Sequence, residues 1–160
     1  MSHSMRIRHV VPSDYPEWLR LRNLLWPGSP DDHEREIAEF FTQPRPDLAT
    51  FVIDCGGTRL GGFLEARVRD YAEGCSGSRI GYIEGWYVEP ELRRQGLGGQ
   101  LAQAAEHWAR ELGLSEMASD CEIDNIVSFR AHTALGYEEV EQIICFRKVL
   151  KGNASQGHYT

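Results

Sequence analysis

The stretch Val88-Glu89-Pro90-Glu91-Leu92-Arg93-Arg94-Gln95-Gly96-Leu97-Gly98-Gly99-Gln100-Leu101 decides the fold. It reads as the end of a strand, a tight turn, a run of small residues and the start of an amphipathic helix. Leu97, Leu101, Ala105, Trp108 and Leu112 keep helical spacing and give that helix one apolar face. Gly96, Gly98 and Gly99 have no side chains, so a ligand can come close to the main chain. The first N–H groups of a helix lack internal partners and carry the positive end of its dipole. With Arg93 and Arg94 beside them, they make a receptor for phosphate groups.

Two better-known glycine motifs do not fit. A P-loop ends in Gly-Lys-Ser/Thr, which is missing here, and a dinucleotide fingerprint needs glycine where Arg94 stands. The pattern Arg93-x-x-Gly96-x-Gly98, entered from Tyr87-Val88-Glu89-Pro90, resembles the acetyl-CoA loop of the GCN5-related N-acetyltransferases. Composition is compatible with that resemblance. At 160 residues the chain has room for one domain, expected over residues 5–150, with flexible termini at 1–4 and 151–160. A net charge of −7 argues against a nucleic-acid partner and suits a cationic one. No apolar run is long enough to span a membrane, and the N-terminus has no signal-peptide pattern. Cys55, Cys75, Cys121 and Cys145 are scattered, which suits reduced thiols in the cytoplasm and gives no metal-ligand spacing.

Outward from the loop, periodicity and breakers predict the remaining elements. A strand over 5–11 leads to a helix capped at Ser13-Asp14 and running to Trp26, which Pro27-Gly28-Ser29-Pro30 breaks. A second helix runs from an Asp31-Asp32 cap to Thr42. A hairpin follows, with strands over 48–55 and 60–69 about Gly56-Gly57. Residues 80–89 form the strand that feeds the loop, and Gly85 within it signals a bulge or a close approach. A short strand over 116–121, a helix over 125–135 stopped by Gly136 and a final strand or strand pair over 137–149 complete the chain. This is an α/β layout, a mixed and mostly antiparallel sheet flanked by helices, as the N-acetyltransferase fold implies.

The resemblance narrows further. Leu21-Arg22-Asn23-Leu24-Leu25-Trp26-Pro27-Gly28-Ser29, Ile83-Glu84-Gly85-Trp86-Tyr87-Val88, Ala118-Ser119-Asp120, Asn125 and His132-x-x-Leu135-Gly136-Tyr137 are similar to the aminoglycoside 6'-N-acetyltransferases. His132 stands where many members of the superfamily carry a tyrosine that protonates the leaving thiolate. The resemblance implies that Trp86, Tyr87 and Val88 pair their backbone with the pantetheine arm of acetyl-CoA. It implies that Arg93, Arg94, Gln95, Gly96, Leu97, Gly98 and Gly99 hold the pyrophosphate and that Asn125 lies near the thioester. Trp26, Ser29 and Tyr71 would line the acceptor pocket, and Glu84, Asp120 and Glu141 would receive the ammonium and hydroxyl groups of a cationic aminoglycoside. Glu84 and Asp120 are also the candidate catalytic bases, since only a neutral amine attacks a thioester. The thioester supplies the activation, so no metal is expected. Relatives are commonly dimers, and the apolar run 143–149 offers an edge for a homodimer. An acetyltransferase for another cationic amine, or a non-catalytic acyl-CoA sensor, remains open on the residues alone.

Overall fold

Strand Leu48–Asp54 (β2) is buried along nearly its whole length rather than on alternate residues, because both faces of its sheet are covered. The computed structural model describes residues 4–152, so most of the expected flexible ends at 1–4 and 151–160 lies outside the described residues. The sheet has the order β1-β2-β3-β4-β5, with β1 at Arg6–His9, β3 at Leu60–Arg69, β4 at Ile80–Val88 and β5 at Met117–Ser119. Its first four strands pair antiparallel, and β5 joins β4 in parallel. Helices Tyr15–Leu25 (α1) and Pro30–Thr42 (α2) cover one face, where Trp18, Leu21 and Ile37 pack on Val52, Leu60 and Phe63. Helix Leu97–Glu111 (α3) covers the other, with Leu97, Leu101, Ala102 and Ala105 on Phe51, Ile53, Leu64 and Ile83. Helix Ile126–Ala134 (α4) follows β5.

The predicted punctuation holds, with shifts at the caps. Gly56 and Gly57 both adopt positive φ, 91° and 60°, in the β2–β3 turn, and Gly136 does so after α4 at 90°. The carboxylate of Asp14 does not reach forward to cap α1. It accepts the Val11 N–H at 2.8 Å and a fork from Arg8 at 2.7 and 3.0 Å, fixing the strand-to-helix corner. Helix α2 starts one residue before its expected cap, with Pro30 in its first turn and Ser29 at the N-cap.

The expected final strand is not formed. From Tyr137 to the end of the described residues the chain has no regular secondary structure. Val140 lies instead against Gly74, where a Cβ would meet it at 2.7 Å. Ile144 is 81% and Phe146 92% exposed. The residues have strand character, but a strand exists only through a neighbour's ladder hydrogen bonds, and this segment makes none with the described residues. The sheet therefore ends at the three residues of β5.

Candidate active site

At the end of β4 the chain is braced before it turns. The buried Glu89 carboxylate accepts from Arg20 at 2.6 Å and Arg59 at 2.8 Å. Burial alone would raise its pKa, but the two guanidiniums hold it below the usual carboxylate value. After a 3-10 turn at Pro90–Leu92, Arg94 takes positive φ, as does Gly96 at 80°, where α3 begins. Gln100 makes the first intrahelical bond, to the Gly96 carbonyl, so the N–H groups of Leu97, Gly98 and Gly99 come before the ladder starts. Trp86 Nε1 donates to the Gly98 carbonyl at 3.1 Å and ties this turn back to β4. Arg93 Nε donates to the Val88 carbonyl at 2.8 Å, and its guanidinium lies 5.7 Å from the Tyr87 ring. The result is a set of main-chain donors aimed out of a fixed frame, suited to a pyrophosphate.

Strands β4 and β5 stay paired only from Gly81↔Met117 to Ile83↔Ser119. Beyond that point they part, and Trp86, Tyr87 and Val88 keep ladder partners only on β3. A gap of this kind leaves backbone amide and carbonyl groups free to pair with an extended ligand arm. His132 borders it, with its ring edge-on to Trp86 at 5.1 Å. Its Nδ1 donates to the Ser128 carbonyl at 2.7 Å, and its Nε2 lies 2.8 Å from the Ser119 hydroxyl.

The β3–β4 register slips between Glu65↔Gly85 and Ala66↔Ile83, which makes Glu84 the extra residue of a β-bulge. The bulge predicted at Gly85 is thus present one residue earlier, and what approaches Gly85 closely is the Trp26 indole. Glu84 accepts a two-pronged contact from Arg69, 2.7 Å at each oxygen, with Arg67 at 3.9 Å. Arg69 lies 3.5 Å over the Tyr82 ring, and the Tyr82 hydroxyl donates to Asp120 Oδ2 at 2.5 Å. Burial first, and the Asp120 acceptor next, push the Tyr82 phenol far above its ordinary pKa, so it stays a donor.

A groove of about 840 Å³ runs along β5 and α4 and brings Asp120, His132 and Glu141 onto one surface. Glu84 is not part of that lining; it joins the groove through Arg69 and Tyr82. Trp26 is half-buried, with Arg22 5.3 Å from its ring, His33 stacked on it and its carbonyl accepting from His33 Nε2 at 2.8 Å. Ser29 and Tyr71 are exposed. Asn125 caps α4, its Oδ1 accepting the Ser128 N–H at 3.1 Å. Among the described residues no group of three or more His, Cys, Asp or Glu side chains is arranged to hold a metal ion.

The profile of the acetyltransferase (GNAT) family matches residues 17–137. The chain belongs to the GNAT acetyltransferase family. An aminoglycoside N(6')-acetyltransferase type 1 from Klebsiella aerogenes is 44% identical, covering 94% of this chain and 100% of its own. The structure of AAC(6')-Iy in complex with the bisubstrate analogue CoA-S-monomethyl-acetylneamine superposes with a TM-score of 0.85 at 37% identity, covering 92% and 100% of the two chains. That of AAC(6')-Ih from Acinetobacter baumannii gives 0.84 at 34% identity, with the same coverage.

Several polar residues of this acetyltransferase were not singled out in the sequence. Arg69 and Tyr82 link Glu84 to Asp120 through cross-strand contacts that no linear spacing shows. Glu65 did carry a signal: a lone carboxylate in the apolar run Phe63-Leu64-Glu65-Ala66, the same feature that marks Glu84. It accepts from Trp18 Nε1 at 3.2 Å and faces Arg22 Nε at 3.2 Å, while Arg22 also pairs with Glu36.

Proposed function

We propose that this chain transfers the acetyl group of acetyl-CoA to the 6'-amino group of aminoglycosides by direct attack within a ternary complex. The observation that carries this reading is the parting of β4 and β5, with the phosphate-binding turn of α3 on one side and the carboxylates of Glu84 and Asp120 on the other. Leu97, Gly98 and Gly99 would supply amides to the pyrophosphate, helped by Arg93, Arg94 and Gln95. The edge of β4 at Trp86, Tyr87 and Val88 that faces away from β3 would hold the pantetheine arm, and Asn125 would lie near the thioester. Trp26, Ser29 and Tyr71 would line the acceptor side, and Glu84, Asp120 and Glu141 would receive its ammonium groups.

Of the two candidate bases, Asp120 is the better placed. Both oxygens of Glu84 are taken by Arg69, whereas Tyr82 occupies only one oxygen of Asp120. The free oxygen can take a proton from the 6'-ammonium directly or through a water molecule. An amide near Tyr87 and Val88 would stabilise the tetrahedral oxyanion, an effect usually worth about 3–4 kcal/mol.

The reading includes a homodimer of this chain. The exposed apolar side chains of residues 143–150 and the open edge of β5 are complementary needs, and a second copy would answer both. A cytoplasmic setting suits a user of acetyl-CoA with four unpaired cysteines.

Thiol release from acetyl-CoA tests the reaction. Kanamycin or tobramycin should support it, and an analogue with a hydroxyl at the 6' position should not. Asp120→Asn should lower kcat about a hundredfold with the fold intact. Equal release with both acceptors, or wild-type kinetics in the Asn variant, would sink the reading.

A further inference from the structure

Glu84, an expected receiver of substrate charge, already has a cation on it. Arg69 reaches it from β3 with Nε on one oxygen and Nη2 on the other, both at 2.7 Å. This is the planar fork that matches a carboxylate best. The same guanidinium stacks on Tyr82, whose hydroxyl is committed to Asp120. One guanidinium and one phenol therefore span the two carboxylates on which an amine acceptor would depend. Arg69 is 38% and Glu84 27% exposed in their side chains, so the guanidinium can swing off Glu84 into water without becoming a buried unpaired charge.

We propose that Arg69 is a specificity-determining residue: it holds the ammonium place on Glu84 until an acceptor with several positive charges displaces it. The proposal rests on the aminoglycoside reading above. An acceptor bearing a single ammonium sets it, as the reacting amine, on the free oxygen of Asp120 and leaves Arg69 on Glu84. An acceptor with further ammonium groups can set one of them on Glu84 only by displacing Arg69. The site thus counts charges, and Arg69 is the competitor against which the count is made. Specificity here comes from a repulsive element as well as an attractive one. Arg67, 3.9 Å from Glu84, adds to the same field.

The test compares the wild type with Arg69→Met, which keeps an apolar stem over Tyr82, and Arg69→Lys, which keeps the charge. Each is assayed for thiol release, and by titration calorimetry in the presence of CoA, with tobramycin and with methyl 6-amino-6-deoxyglucoside, a single-ammonium sugar. Arg69→Met should tighten tobramycin about three- to tenfold and the single-ammonium sugar by less than about twofold, with the change carried by KM. Arg69→Lys should keep the wild-type ratio between the two. Weaker binding of both amines in the Met variant, or an unchanged ratio, would overturn the proposal and leave Arg69 as a strut between strands. The calorimetric ratio is read whether or not acetyl transfer occurs. Absence of wild-type turnover with tobramycin would therefore count against the functional reading, and the ratio would still decide the role of Arg69.

Discussion

Glu65 is a carboxyl strongly altered by its surroundings. Burial pushes its carboxyl up to about 7, with Arg22 and the Trp18 indole opposing the rise. An unfolded chain loses that proton near the ordinary carboxylate value, so between about 4.5 and 7 the native state alone holds it. Stability should fall as pH rises through this window and level off above it. Glu65→Gln removes the titration, so its stability relative to wild type should improve by roughly 2–3 kcal/mol from pH 5 to pH 8, read from urea unfolding at each pH. A difference that stays flat with pH would show that the carboxyl ionises normally. Glu84 and Glu65 illustrate what a sequence shows at this scale. Each stands out as a charge in an apolar strand, and that much is legible. Which cation meets it is not, because the partner is chosen by register, and the register slips at Glu84 itself.

Among the elements, those whose signals are local were read closely from the sequence. The glycine pair of the β2–β3 turn, the Pro27–Pro30 break and the apolar face of α3 each depend on residues a few positions apart. The packing of β4 against the end of α1 is different in kind. A Cβ on Gly85 would lie 2.3 Å from Trp26 Cη2 and 2.6 Å from Cζ2, so strand and indole occupy adjoining space with nothing to spare. Phe63 meets the same indole edge-on at 6.1 Å. Gly85→Ala should therefore cost about 1–3 kcal/mol of stability in chemical denaturation, since the rigid ring has to move rather than bend aside. A variant as stable as wild type would show that Trp26 shifts freely. The sequence marks Gly85 as a point of close approach, but only the fold shows that the visitor is Trp26, the residue that caps the end of α1.

At the scale of the whole molecule, the failure of the last predicted strand is the informative one. Its residues have the right composition, yet a strand is a relation between two segments, and composition describes only one of them. Phe146→Glu places a charge on the most exposed apolar side chain of the segment. It should leave the single-chain fold intact and shift sedimentation from dimer to monomer. A dimer of unchanged dissociation constant would place the contact elsewhere. The short edge at β5 then bears on how activity depends on supply. If the proposed homodimer is the working form, the assembled fraction at low abundance grows with concentration, so assembled molecules rise with roughly the square of total chain. Doubling the number of gene copies would more than double the working enzyme in that range, and diluting a lysate for assay would understate what the intact cell contains.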